Sequence, residues 1–348
     1  MRPFVSVIVP VRNEAASLDA TLRALLSQNY PFDRFEVLVV DGQSEDDTCR
    51  VVRRLQRVHD NLQLLYNPRR LSSAARNIGV AKARGDFLLI VDGHCEIRTA
   101  DYLAQLAEVF DRHNVESVGR PQPLEINDAS PLQRAIAAAR RSRLGHNPGS
   151  YIYSDAGGPA PPDSVAVAYR RDVFDRIGRF DESFDACEDV EFNCRLRESG
   201  GRCWFAPRLA VHYRPRATLR ALILQMLRYG RGRARLILKH PQTLAPGPLV
   251  PALFLIALAA TLLVGLASPL FAAAFCGMAL LYSIVTFTAA CGLAWRLRQP
   301  EIAPMVPAVF LSIHVAAGWG VLSELSPQLW RRAFHRTRPW LARFRLHT

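Results

Sequence analysis

Residues Arg84–Ile97 read RGDFLLIVDGHCEI, and the stretch from Phe87 to Val91 decides the fold. It is a short unbroken apolar run, the pattern of a strand buried on both faces of a sheet. The run feeds directly into Asp92, Gly93 and His94, so a carboxylate and an imidazole separated by a glycine stand at the strand's C-terminal mouth. In open α/β sheets that edge is where ligands bind. The two side chains suit a divalent cation, and Gly93 would let the backbone come close to a ligand. A plain strand-to-loop turn explains the same residues, because Asp and Gly are ordinary turn formers. The rest of the chain favours the site.

Working outward, Phe4–Val9 is a strand, followed by a loop over Pro10, Val11, Arg12, Asn13 and Glu14. Ser17–Gln28 has a helical period of leucines, with Ser17 as N-cap. Glu36–Val40 is a second buried strand, ending in Asp41 and Gly42, and a helix from Asp46–Thr48 to Val58 follows it. Leu62–Tyr66 is a strand, Ser72–Ala83 a helix, and Ala100–Arg112 another helix. Beyond a looser stretch that carries a helical insert over Ser130–Arg143, Val165–Tyr169 is a strand and Arg171–Ile177 a helix. Glu188–Glu198 is helical and stopped by Gly200 and Gly201, and Trp204–Val211 holds a last strand before His212. Strands alternating with helices across short connections predict a mostly parallel, doubly wound α/β sheet.

The chain has 348 residues, room for one α/β domain of about 200 residues and something more. Its formal net charge is +13, and only Lys82 and Lys239 are lysines, so the basic character is arginine. The arginines crowd Arg214–Arg235 and Arg331–Arg345, on either side of a very apolar region. That distribution belongs to a membrane-associated protein and argues against a nucleic-acid partner. The seven cysteines show no CxxC pair and no zinc-ligand spacing, and predict free thiols. The apolar run of the opening MRPFVSVIVPVRNE is too short for a signal peptide, which predicts a cytoplasmic N-terminal domain.

Thr218–Lys239 gathers Leu219, Leu222, Ile223, Met226 and Leu227 largely on one face with arginines opposite, a helix suited to a membrane interface. Leu249–Ala267, Leu270–Leu293 and roughly Pro304–Leu322 each approach the ~20 residues that cross a bilayer. The third is the least apolar, with two prolines, His314 and nearby Glu324. Here two rules collide. If the first two segments form a hairpin and the third crosses too, Arg331–Arg345 falls outside, against the positive-inside bias. If the third lies along the interface, the tail stays inside. The expectation is that the third dips in or lies along the interface, with three plain crossings as the alternative.

Carboxylates follow successive strands at Asn13/Glu14, Asp41, Asp92 and Glu188/Asp189, converging acceptors on one sheet edge. No GxxxxGK[ST], GxGxxG or GxSxG motif is present, which removes the main support for ATPase, dinucleotide and α/β-hydrolase readings. The segments PVRNE, DGQSEDDT, SSAARNIGVAKARGDFLLIVDGH, FDESFDACEDVEFNCRLRESG and QMLRYG resemble the family 2 glycosyltransferases of GT-A fold. More closely they resemble the membrane-attached subgroup similar to succinoglycan-biosynthesis glucosyltransferases.

The resemblance implies roles. Pro10, Asn13, Glu14 and Asp41 would hold the uracil and ribose of a UDP-sugar. Arg76 and Asn77 would lie near the nucleotide-sugar, with Arg76 a natural diphosphate partner. Asp92 would bind ribose or metal. Glu188 and Asp189 match the family's ED pair, in which Asp189 would be the general base. Gln225, Arg228 and Tyr229 resemble its QxxRW element, with tyrosine in place of tryptophan. The family's DxD is here Asp92-Gly93-His94, so an imidazole replaces one carboxylate and Mn²⁺ becomes more natural than Mg²⁺. His212 is a further candidate ligand, or a structural histidine.

These expectations give a catalytic domain over 1–213, a basic interfacial helix over 214–245, two or three transmembrane helices over 246–325 and an arginine-rich tail over 326–348. The expected activity is inverting transfer from a UDP-sugar, UDP-glucose by resemblance, to a polyprenyl-diphosphate-linked saccharide at the inner (plasma) membrane. A polyprenyl-phosphate sugar synthase is the nearest enzymatic rival. A catalytically dead scaffold binding nucleotide-sugar is the rival of another class, disfavoured by intact Asp92 and Asp189.

Overall fold

The structure is a computed structural model that describes residues 2–146 and 150–344, with side chains described as far as Ser326. Of the arginine-rich tail, Arg345 lies outside the described residues. The chain forms two compact units, one of residues 1–129 and 146–215, the other of 130–145 and 216–348.

The first unit begins β1 (Val5–Val11), α1 (Ala15–Leu26), β2 (Phe35–Asp41), α2 (Thr48–Gln56), β3 (Leu62–Tyr66), α3 (Ser72–Lys82) and β4 (Phe87–Ile90). It continues with β5 (Cys95–Glu96), α4 (Tyr102–His113) and β6 (Ser117–Gly119). The helix α5 (Pro131–Arg141) belongs to the second unit although it lies within the first in sequence. The first unit resumes with β7 (Gly158–Ala160), α6 (Pro162–Val165), β8 (Ala166–Arg170), α7 (Asp172–Ile177), α8 (Glu188–Glu198), β9 (Cys203–Phe205) and β10 (His212–Tyr213).

One sheet runs β3-β2-β1-β4-β8-β6-β9-β7. Its first four strands are parallel, with Val5 opposite Phe35 on one side and Phe87 on the other. The strand β8 then joins antiparallel to β4 and to β6. The unbroken run at Phe87–Val91 has its cause in two cores. Phe87, Leu89 and Val91 pack with Val7, Val9 and Leu22 on one face. Leu88 and Ile90 pack with Ile8, Leu38 and Phe192 on the other. Alternate residues of each central strand serve opposite faces, so neither set can be polar.

Three local expectations are corrected. The helix α1 starts at Ala15 with Glu14 in the N-cap position, so Ser17 lies inside its first turn and donates to Glu14 Oε2 at 3.2 Å. The single strand expected over Trp204–Val211 is broken after Phe205 by a 3-10 turn at Pro207–Leu209. Proline cannot donate to a ladder. His212 and Tyr213 instead pair antiparallel with Glu96 and Cys95 in a separate two-stranded ribbon. Finally, a Cβ on Gly93 would stand 2.7 Å from Val11 Cγ1, so this glycine admits the neighbouring strand's side chain.

The second unit adds α9 (Leu219–Lys239), α10 (Pro246–Gly265), α11 (Pro269–Leu297) and α12 (Val306–Phe344). Thr218 caps α9 by accepting from the Ala221 N–H at 3.2 Å. Three helical stretches, Pro246–Gly265, Pro269–Leu297 and Val306–Ser326, are long and apolar enough to cross a membrane. The seven cysteines are free thiols.

Candidate active site

Because β1, β2 and β4 run parallel, the residues after them emerge at one edge. Asp41 ends β2, buried, with Oδ2 accepting from the Ser44 N–H at 3.1 Å. Its Oδ1 is buried without a hydrogen-bond partner. Such an orphaned acceptor is costly unless a ligand N–H or O–H meets it. Asn13 sits in the left-handed region at φ 56°. It ties the β1–α1 loop to the β2–α2 loop: its N–H donates to Ser44 Oγ at 2.9 Å and its Oδ1 accepts from the Glu45 N–H at 2.8 Å. Pro10 lies in β1 opposite Val40, beside the Val11–Asp41 pair. Glu14 donates its N–H to Thr48 Oγ1 at 2.8 Å, and its Oε1 lies 3.0 Å from His94 Nδ1.

Arg76, in the second turn of α3, is the centre of the charge arrangement. Its side chain keeps 11% of its surface exposed and lies 3.3 Å from Glu188 Oε1, itself 7% exposed. Burial would lower the guanidinium's pKa, but Glu188, Asp189 and Asp92 together raise it, so the cation is held firmly charged. Its Nε is buried with no hydrogen-bond partner. Glu188 and Asp189 occupy the first turn of α8, where the helix's positive end favours carboxylates. Asp189 is half-buried and accepts from the Val190 N–H through Oδ1 at 2.8 Å.

Asp92 follows β4. Burial pushes its carboxyl up, but Arg76 first, then His94, the hydrogen bond from Tyr213 and Arg120 together hold it below the usual carboxylate range. Tyr213 donates to Asp92 Oδ2 at 2.8 Å. Burial, and then the charge of Asp92, push the Tyr213 phenol well above its ordinary value, which keeps it a donor. Behind them lies Arg120, fully buried, with Nε and Nη1 lacking partners.

Two expected site residues bond to neighbours outside this charge arrangement. Asn77 spends its amide on the α7–α8 connection: Nδ2 donates to the Phe180 carbonyl at 2.9 Å and to Glu182 Oε1 at 2.8 Å, and Oδ1 accepts from the Phe180 N–H at 2.9 Å. These bonds fasten the segment leading to Glu188. Asn77→Ala is expected to cost about 1–3 kcal/mol for a buried partner left unsatisfied, with the donor dissociation constant of the folded protein unmoved. A calorimetric melt beside a binding titration checks it. His212 has an acidic neighbour of its own. Neighbouring strand residues face opposite ways, and while Tyr213 turns to Asp92, His212 Nδ1 lies 3.7 Å from Glu125 Oε2. Burial and then Arg98 lower the His212 pKa. Gln225, Arg228 and Tyr229 lie on α9 in the second unit, where Gln225 Nε2 donates to Tyr229 Oη at 3.2 Å.

The family model described as glycosyltransferase like family 2 matches residues 2–232. This chain belongs to that family. It is 34% identical over 236 residues to the succinoglycan biosynthesis protein ExoA of Rhizobium meliloti (strain 1021), covering 67% of this chain and 70% of the relative. It is 29% identical over 231 residues to the glycosyltransferase AglE of Haloferax volcanii, covering 66% of this chain and 73% of that one. Among solved structures it resembles the mannosyltransferase PcManGT from Pyrobaculum calidifontis in complex with GDP-Man and Mn²⁺. That likeness, TM-score 0.57 at 24% identity over 92% of this chain and 88% of the other, is one of fold, and the fold is GT-A. The protein is a family 2 glycosyltransferase with apolar helices at its C-terminal end.

The family implies a divalent metal. Among the described residues no three His, Cys, Asp or Glu side chains gather as a metal site. Asp92, held ionised, and His94 still offer a carboxylate and an imidazole. Small divalent ions are often held by one or two protein groups plus substrate phosphates and water. The pair fits a metal completed in that way by a bound diphosphate.

The sequence reading missed Tyr213 and Arg120. The only local signal was a tyrosine beside the noted His212 and a lone arginine between Gly119 and Pro121.

Proposed function

We propose that this glycosyltransferase moves a sugar, with inversion, from a UDP-sugar to a hydroxyl of a polyprenyl-diphosphate-linked saccharide in exopolysaccharide or envelope-glycan synthesis. The observation that carries the reading is the buried Arg76 guanidinium among Asp92, Glu188 and Asp189. It puts a fixed cation beside a candidate base on the edge where a donor would lie.

In this reading Asp41 Oδ1 accepts from the uracil N–H and fixes the base. Glu188 holds Arg76, which faces the leaving diphosphate. Asp189 takes the proton of the acceptor hydroxyl as its oxygen attacks the anomeric carbon. The bond from that carbon to the diphosphate oxygen breaks, and its electron pair leaves with UDP. A divalent metal at Asp92 and His94, when bound, would neutralise the developing charge. Tyr213 keeps Asp92 oriented through its hydrogen bond.

The similarity to the succinoglycan biosynthesis protein supports an acceptor in polysaccharide assembly. The apolar helices support membrane attachment, with the catalytic unit at the cytoplasmic face where nucleotide-sugars are made. PcManGT was solved with a guanosine donor, so the base is an arm of the test. Purified protein in detergent is given UDP- and GDP-sugars with and without lipid-linked saccharide or polyprenyl phosphate. Acceptor-dependent UDP release with the saccharide is expected. Release only with polyprenyl phosphate would make the enzyme a lipid-carrier charging synthase, and release only from guanosine donors would remove the role of Asp41.

His94→Ala is expected to raise the Mn²⁺ concentration needed for half-maximal activity. Second-ligand losses typically weaken a site, and losing one of two protein ligands should do at least the ~10–100-fold seen for outer-shell partners. An unmoved titration curve would return His94 to a purely structural role beside Glu14.

A further inference from the structure

Val306–Ser326 of α12 satisfies length and composition for a membrane crossing, yet its neighbours do not suit one. Phe254 and Tyr282 stack between α10 and α11 at 5.1 Å, and a Cβ on Gly265 would meet Ala272 within 2.9 Å, so these two helices form a hairpin. In a hairpin that crosses a membrane, the start of α10 and the end of α11 lie on the same side. The beginning of α12, with Val306, Val309 and Phe310, shares a core with Ala290 and Ala294 near the end of α11. Further along α12, Gly318 lies against Pro251, and Val321 packs with Ala252, both in the first two turns of α10. A crossing α12 would carry the far end of Val306–Ser326 about 30 Å away, at 1.5 Å per residue, towards the turn at Leu266–Ser268. Instead its start packs on the last turns of α11 and its later part on the first turns of α10, away from that turn.

The helix α9 binds it there. Leu222 and Met226 join the core of Val306–Ala316. A Cβ on Gly230 would meet the Ala317 carbonyl at 2.2 Å, and one on Gly320 the Leu227 carbonyl at 2.4 Å, so the two backbones touch. Arg231 Nε donates to Ser323 Oγ at 3.3 Å, and Arg235 makes two bonds to Glu324, at 2.9 and 3.1 Å. The contact points advance together along both helices, which therefore run side by side. Yet α9 carries Arg220, Arg228, Arg231, Arg233, Arg235 and Lys239 with no acidic residue. Arginines and lysines are costly at the bilayer centre, so α9 does not cross, and neither does a helix fastened along it.

The middle of α12 gives the same answer. His314 Nε2 lies 2.8 Å from the Leu144 carbonyl, which can only accept, so this nitrogen donates and Nδ1 accepts from the Tyr282 hydroxyl at 3.0 Å. Leu144 belongs to the segment that carries Arg140, Arg141 and Arg143, which is no part of a bilayer core.

We propose that α12 lies with α9 and α5 along one leaflet, that the chain crosses the membrane twice, through α10 and α11, and that its C-terminal arm returns to the face that carries the catalytic unit. The partner of this surface is an anionic lipid leaflet, met by the arginines of α9. The inference rests on the membrane attachment proposed above but not on the reaction.

The test uses single cysteines in a full-length cysteine-free chain, at Asp60→Cys in the catalytic unit, Ala267→Cys in the α10–α11 turn and Thr348→Cys at the last residue. A membrane-impermeant maleimide is applied to intact cells and then to permeabilised cells. Thr348→Cys is expected to behave as Asp60→Cys and opposite to Ala267→Cys. Labelling of Thr348→Cys together with Ala267→Cys overturns the proposal, and so does identical behaviour of all three, which would mean that the hairpin does not cross. Should the cysteine-free chain fail to accumulate, C-terminal green fluorescent protein and alkaline phosphatase fusions to the native chain are read instead. A fluorescent first fusion with an inactive second supports the return of the arm, and the reverse overturns it. Neither readout needs glycosyl transfer, so a wrong donor or acceptor leaves the outcome untouched.

Discussion

Asp189→Asn is expected to lower transfer by roughly 10²–10⁴-fold, the usual contribution of a general base, and to leave donor affinity unchanged. The amide has the carboxylate's shape and keeps an oxygen for the Val190 N–H that Asp189 Oδ1 accepts at 2.8 Å. What it loses is the capacity to take a proton. The nucleotide would be gripped at Asp41, at the end of a different strand, so its dissociation constant has no reason to move. Single-turnover rates beside a UDP titration separate the two quantities. Near-normal transfer, or an equal loss in both, would remove Asp189 as the base.

Arg76→Met is expected to damage folding as well as catalysis. Glu188 is 7% exposed and stands 3.3 Å from this guanidinium. Asp92 and Asp189 also lie in its field. Breaking a buried pair by removing one partner costs about 3–5 kcal/mol, whereas replacing both by apolar groups is often close to neutral. The melting transition of the catalytic unit should therefore fall by about 10 °C, at ~2–4 °C per kcal/mol for a domain of this size. The double variant Arg76→Met/Glu188→Met should recover part of that loss and remain inactive, because Asp92 and Asp189 still lack their cation. An unshifted melt in the single variant would show that Arg76 does not compensate these carboxylates.

The parts of this site that the sequence displays are those that local chain geometry puts in place. Phe87–Val91 reads as a doubly covered strand because Leu89 and Leu88 must serve separate cores. The carboxylates Asp41 and Asp92 then fall on one edge because their strands are parallel neighbours of β1. Glu188 and Asp189 open a helix whose residues follow a clear period. What stayed hidden depends on contacts distant in sequence. Tyr213 reaches Asp92 across 121 positions, through a ribbon too short to leave any periodicity. Asn77, adjacent to Arg76 in a motif, gives no sign of its partners 103 and 105 positions away. His212, a candidate ligand or a structural histidine on the sequence, has its Nδ1 3.7 Å from Glu125 Oε2, a neighbour 87 positions away. The same limit explains α5, whose place in the chain gives no sign of the unit it packs in.

The central claim is inverting transfer at the edge shared by Asp41, Asp92, Arg76 and Asp189. Its most direct test is the anomeric configuration of the bond that the purified full-length protein makes from an α-linked UDP-sugar and a lipid-linked saccharide, read by NMR. A β-linked product, absent with Asp189→Asn, is the predicted result. An α-linked product, or a β-linked product formed equally well by Asp189→Asn, would contradict the account.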